Sequence, residues 1–288
     1  MVAIIVTYLF SKLFTEKNIR IDRKKEIDEL SLKITYLRQI SFYILSLHDF
    51  WKFKSNVNVK SKIDSKYPYL TYEIYKQVDS KLENMSYEEW SKLNEDINGM
   101  SGQAYLALKG LQDGDHDFSM YSEIKPRNYS LTDIERYIEY SGSFWYFLDR
   151  SDDSIVNFNN CNKYWLLKIN ELYFKIMNKK IDEDRYKQEI KEMFSRFDSV
   201  FFVKHYFFSR LNSDIFPYSY KSILINMFIF VLILVYSLVI YVVNIEMEIA
   251  VLSVTILLSF FISNTIDLIY ITIYSIRQEL NIKEIFRI

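Results

Sequence analysis

Apolar residues recur along most of the chain at the three- and four-residue spacing of an amphipathic helix. From Ile21 to about Phe53, one stripe is held by Ile27, Leu30, Ile34, Leu37, Ile44 and Trp51. Ser41 and His48 occupy the remaining seam positions, and Ile40 and Leu47 widen it. That pattern predicts a long helix packed in a bundle or coiled coil, which the apolar N-terminal segment could extend. From Asn56 to Pro68 the period is lost. Val57, Val59 and Ile63 alternate with polar residues, as in a short strand or a loop. Helix resumes from Tyr69 to about Leu82.

Ser86 followed by Glu89 is a capping-box signature for a helix reaching toward Gln112, with Gly99 and Gly102 weakening its middle. Residues Asp113 to Arg127 read as a long loop. Thr132 and Glu135 then open a helix whose face is Ile134, Tyr137, Ile138, Ser141, Trp145 and Leu148. Two more helices are expected, from about Ser154 to Asn178 with the stripe Trp165, Ile169, Leu172 and Ile176, and from Asp182 to about Arg210. Residues 16–220 therefore read as one helical domain.

The pattern changes after Lys221. Ile223 to Val243 is uncharged, and as a helix it would reach about 32 Å, enough to cross a bilayer. Ile249 to Ile266 is a second uncharged run, near the lower limit for a span. Asn244, Ile245, Glu246, Met247 and Glu248 lie between them, so short a link that the two helices must be antiparallel. Residues 221–276 are thus expected to be a transmembrane hairpin, and 277–288 a cytoplasmic tail. Lys204, Arg210 and Lys221 precede the first span and Arg277, Lys283 and Arg287 follow the second, while the loop carries no lysine or arginine. This asymmetry places both ends, the helical domain and the C-terminus in the cytoplasm and the acidic loop outside. Tyr218, Tyr220, Tyr270 and Tyr274 sit where an interfacial aromatic belt would lie.

Residues 1–15 are apolar but would reach only about 21 Å over Met1 to Phe14, so they are read as a short membrane anchor or contact. No charge precedes the run and no small-residue cleavage site follows it, which argues against a cleaved signal peptide.

Within the hairpin the polar positions of interest are Asn226, Ser263, Asn264 and Asp267, with Ser259 beside them. Counted from the cytoplasmic side, Asn226 and Asn264 fall at similar depth, so they can hydrogen-bond across the hairpin or between subunits. Asp267 marks the interface if the second helix leaves the bilayer near Ile266. It is a candidate for lining an ion path if the span continues to Ile276.

Composition removes several function classes. The net charge is -1, which gives no basic field for nucleic acid, so no nucleic-acid partner is expected; the basic run Arg20, Arg23, Lys24 and Lys25 adjoins an apolar segment and suits a membrane surface better. Five glycines, at 99, 102, 110, 114 and 142, cannot form the standard nucleotide cradles, and no cofactor is expected. The single cysteine, Cys161, permits no intramolecular disulfide and reads as a small buried hydrophobe.

His48, His116 and His205 are too dispersed for a helical metal site, and no metal is expected. Asp113-Gly-Asp-His-Asp117 begins like a calcium loop, but Phe118 stands where the turn glycine is needed and Ile124 where the bidentate glutamate is needed. His48 lies on the apolar seam, where a hydrogen-bonded core histidine is the better reading. No arginine precedes a histidine at the spacing of helical ribonuclease motifs, and no hydrolase, zinc-protease or kinase signature occurs.

The expectation is an all-α, non-enzymatic membrane protein. Its helical domain would sense a ligand or a cytoplasmic protein partner, and its hairpin would form a homo-oligomer that perturbs or permeabilises the lipid bilayer. Effectors of bacterial antiphage defence share this plan as an analogy of architecture. The competing class is a membrane-tethered scaffold that binds a protein through its helical face.

Overall fold

The computed structural model describes residues 2–47, 53–58, 86–112, 127–152, 156, 158, 163–213, 218–243, 251, 253–267 and 269–270. About 92% of these residues are helical and none is in a strand, so the protein is all-α. The chain divides into two compact units, one of residues 1–26 with 208–288 and the other of residues 27–207.

The first helix, α1 (Val2–Leu47), is one unbroken element, so the apolar N-terminal segment and the amphipathic stripe are continuous. Residues 53–58 are helical too, so the break expected from Asn56 does not begin there. The expected helix over 69–82, the acidic loop and its calcium-like run, His48, His116 and Cys161 lie outside the described residues.

In the 27–207 unit, α1 is the central helix. Between Leu30 and Ile44 it is buried on nearly every side, on apolar positions such as Ile34, Leu37 and Ile40 and also on Ser31, Thr35, Arg38 and Gln39. Helix α2 (Tyr87–Asn98) starts at Ser86, whose hydroxyl accepts from the Glu89 N–H while the Glu89 carboxylate accepts from the Ser86 N–H. The expected helix to Gln112 is in fact two. Gly99 takes extended backbone and separates α2 from α3 (Met100–Gln112). Close approach explains the glycines that follow. A Cβ on Gly102 would lie 2.4 Å from the carbonyl oxygens of Asp96 and Ile97, and one on Gly110 would lie 2.5 Å from the Tyr140 ring.

Helix α4 (Leu131–Arg150) begins two residues earlier than the Thr132 signature suggests. Its cap is Ser130, boxed with Asp133. Its inner face is Ile134, Tyr137, Ser141, Phe144 and Leu148. Helix α5 (Lys163–Met177) buries Ile169, Leu172, Tyr173 and Ile176, and ends where Asn178 takes a left-handed φ of 56° and donates its N–H to Phe174 O at 2.8 Å.

The single helix expected over 182–210 is segmented. A 3-10 turn (Glu183–Arg185) leads into α6 (Tyr186–Arg196), a π-turn (Phe197–Phe201) and α7 (Phe202–Ser213). The π-turn seats Asp198 against α4, where Trp145 Nε1 donates to Asp198 Oδ2 at 3.2 Å and Gly142 leaves room for the carboxylate. One turn earlier, Ser141 donates to Phe194 O at 3.2 Å and the rings of Phe144 and Phe194 meet edge to face at 4.5 Å.

In the other unit, α8 (Tyr218–Val243) and α9 (253–267) carry the two apolar runs. Among the described residues no helix is long and apolar enough to cross a membrane. The described residues therefore do not support the two expected spans.

Candidate functional site

Helices α8 and α9 meet through three tiers of contact. Tyr236 OH donates to Ser253 Oγ at 3.4 Å, the rings of Phe230 and Phe261 cross edge to face at 5.6 Å, and Asn226 reaches both Asn264 and Asp267. As one partner descends α8, the other climbs α9, the order an antiparallel pair requires.

The third tier is built on amides. Asn226 Nδ2 donates to Asp267 Oδ2 at 2.9 Å, and Asn264 Nδ2 donates to the Asn226 backbone oxygen at 3.2 Å. That backbone oxygen therefore accepts from a side chain of the opposite helix. Asn226 is 1% exposed and Asn264 5%. Of the four hairpin positions singled out in the sequence, the structure brings three together. Ser263 is exposed and stands apart from them.

The arrangement is inverted relative to a water-soluble helix pair. Leu224, Phe228 and Leu238 on α8 and Leu258, Phe260 and Ile266 on α9 are exposed, while two amides and the Ser253 hydroxyl are buried between the helices. Four described hydroxyls of these helices bond their own backbone: Ser237 to Ile233 O, Thr255 to Val251 O, Ser259 to Thr255 O, and Thr265 to Phe261 O. This back-bonding lets a hydroxyl sit on an apolar surface without water.

The 27–207 unit holds a second polar cluster, which the periodicity did not disclose. Ser31, Thr35 and Arg38 form a line along α1 beside its apolar stripe. Ser31 Oγ and His205 Nε2 are 2.9 Å apart, and Thr35 Oγ1 and Tyr129 OH are 2.7 Å apart. Arg38 is wholly buried. Its Nε donates to Leu111 O at 2.6 Å and its Nη2 to Gln112 O at 3.3 Å, so the guanidinium caps the negative C-terminal end of α3. The same group lies over the rings of Tyr137 at 5.1 Å and Tyr129 at 5.6 Å.

Burial lowers the His205 pKa to about 4, so at neutral pH the ring is uncharged and exchanges a neutral hydrogen bond with Ser31. Burial likewise pushes the Tyr137 phenol upward, which keeps it protonated. The chemistry of this cluster is that of a polar core: it fixes α1 against α3, α4 and α7. One signal for it was available. Polar residues at 31, 35 and 38 repeat with helical spacing on a helix whose neighbouring positions are nearly all apolar.

A third group joins α5 to α6. Tyr173 OH donates to Glu189, and Lys179 Nζ lies 2.7 Å from the same carboxylate. Burial first, then the Glu189 carboxylate, raise the Tyr173 pKa to about 12, and Lys179 holds Glu189 below its usual range. An open cavity of about 550 Å³ lies nearby, with the stacked pair Phe158 and Tyr186 in its wall. Its cations are engaged: Lys187 donates to Ser151 O, Lys191 pairs with Asp149, and Arg185 donates to Gln188. Among the described residues no three of histidine, cysteine, aspartate and glutamate converge as a metal would require.

Fold and clusters together define an all-α protein with an apolar-cored bundle that holds a buried polar cluster, and an inverted helix pair. No protein-family model, curated protein or solved structure matches the chain.

Proposed function

We propose that residues 221–276 insert in a lipid bilayer as a two-helix hairpin and that the chain is a membrane-anchored, non-enzymatic effector. The observation that carries this reading is the inversion of α8 and α9. Phe228 and Leu238 are each 64% exposed and Val251 63%, while Asn226 and Asn264 are buried. So large an apolar surface in water would drive aggregation, whereas hydrocarbon leaves it at no cost and favours polar groups that bond each other. The uncharged runs of the sequence supply the length, and the distribution of lysine and arginine orients both ends toward the cytoplasm.

In this reading the bundle senses a ligand or a cytoplasmic protein partner. The hairpin then self-associates to perturb the cytoplasmic membrane, since two helices cannot enclose a pore alone. The plan parallels effectors of bacterial antiphage defence. The test has two steps. The full chain should remain in the membrane fraction after alkaline carbonate, and induced expression should depolarise cells. Release by carbonate would sink the membrane reading. Retention with unchanged potential, together with full function when an unrelated anchor replaces the hairpin, would favour the scaffold.

A further inference from the structure

The exposed cations at the foot of the hairpin form a collar that, we propose, binds anionic phospholipid headgroups. This rests on the membrane reading above and specifies the lipid. Arg20 on α1 and Asn212 at the end of α7 clasp each other twice. Arg20 Nη2 donates to Asn212 O at 3.3 Å, and Asn212 Nδ2 donates to Arg20 O at 3.4 Å. The clasp brings the basic stretch of α1 beside the chain that is about to enter α8, although the two are 192 residues apart in sequence.

Lys17 and Lys24 lie three residues before and four residues after Arg20, so they share its face of α1. Arg210 stands two positions before Asn212, and Lys221 lies in the first turn of α8. Lys17, Lys24, Arg210 and Lys221 are all exposed, and none holds an ion pair among the described residues. Lys25 points elsewhere and is matched by Asp22 at 3.6 Å. In the bundle, by contrast, Lys168 and Lys175 share Glu171, and Lys179 takes Glu189.

Unmatched cations at the level where apolar helices begin are complementary to a negatively charged leaflet, which attracts juxtamembrane basic groups over a few ångströms. Among the described residues no buried donors converge on them, as an enclosed site for one free phosphate would need. The chemistry therefore selects a charged lipid surface.

The test reconstitutes the full chain at limiting lipid from an equimolar mixture of phosphatidylcholine and phosphatidylglycerol. The phosphatidylglycerol-to-phosphatidylcholine ratio retained after size exclusion is then measured, with and without excess inorganic phosphate at constant ionic strength. The wild type should retain several-fold more phosphatidylglycerol. The variant K17Q/K24Q/R210Q/K221Q should bring the ratio close to one, since each basic group near an anionic surface is worth about fivefold. These side chains are exposed and hold no ion pair among the described residues, so helicity should not change. K92Q/K163Q/K180Q/R196Q, four exposed cations on the bundle, serves as the charge-matched control and should retain the wild-type ratio. Equal retention by wild type and collar variant, an equal loss in the control, or displacement by inorganic phosphate alone would overturn the collar while leaving membrane insertion intact. Failure of the wild type to enter bilayers at all would overturn both readings.

Discussion

The bundle and the hairpin use polar side chains in opposite ways. In residues 27–207 the interior is apolar and aromatic, and the buried polar groups are a minority, most of them gathered around α1. In α8 and α9 most large apolar groups face outward, Phe230 excepted, and the amides face inward. Helical periodicity alone describes both, because each presents one kind of residue on one face. What differs is the medium implied on the outer face. On the proposed reading that medium is water around the ion pairs of α5 and α6 and hydrocarbon around the exposed apolar surface of α8 and α9.

The largest expected effect lies in the bundle core. Arg38→Ala removes a wholly buried side chain and leaves the terminal carbonyls of α3 without its donors. The cavity and the lost hydrogen bonds should together cost about 3–5 kcal/mol. Denaturant unfolding of the full chain in detergent, followed by Trp fluorescence, measures it. Arg38→Met, which keeps most of the volume, should cost less. Equal stability of Arg38→Ala and wild type would mean that the cluster does not hold α1 in place.

A matched pair of substitutions tests the comparison directly. Leu167 on α5 is 66% exposed and Leu258 on α9 is 59% exposed. If both faced water, lysine at either site would be nearly neutral. Leu167→Lys should change stability by less than about 0.5 kcal/mol. Leu258→Lys should disfavour insertion by about 3 kcal/mol, seen as a larger carbonate-soluble fraction. Two equal and small effects would break the contrast.

These two regions also differ in how far they could be read from the sequence. The hairpin's apolar runs and the proximity of Asn226 to Asn264 were legible because uncharged length and antiparallel depth are one-dimensional quantities. Ser263 was grouped with them because depth says nothing about which side of a helix a residue occupies. Helix boundaries in the bundle depended on local chemistry. The Ser86 box was recoverable, but Ser130 was passed over for Thr132 since both precede an acidic residue by three. Gly99 reads in the sequence only as a weak point, and neither the full break there nor the π-turn at Phe197 was legible. Both depend on what packs against the backbone: carbonyls within reach of Gly102, and Trp145 reaching for Asp198. Arg38 escaped notice because a basic residue next to an apolar stripe ordinarily extends into water, and only the surrounding helices reveal that α1 has no wet side there.

Acid should separate the units next. His205 has a folded pKa of about 4 against an ordinary value of 6.5. Between those values the unfolded chain binds the extra proton, so stability is independent of this group above pH 6.5 and declines as pH falls toward 4. The loss should be about 2 kcal/mol by pH 5. His205→Gln should flatten that part of the profile in equilibrium unfolding. A wild-type profile no steeper than that of the variant would mean that the ring is hydrated when the bundle is folded.

The smallest expected effect on stability is the most informative about function. Asn264 donates to the Asn226 carbonyl, a group already engaged in its own helix, and interhelical hydrogen bonds of this kind contribute only about 0.6 kcal/mol in a bilayer. Asn264→Leu should therefore leave insertion and helix content almost unchanged. If the hairpin only holds the bundle at the membrane, the substitution should leave expression-induced depolarisation as it was. If the amide tier sets how hairpins meet one another, depolarisation should fall sharply in the same cells. A fold that tolerates the change while the activity does not would place the function in the hairpin's polar tier.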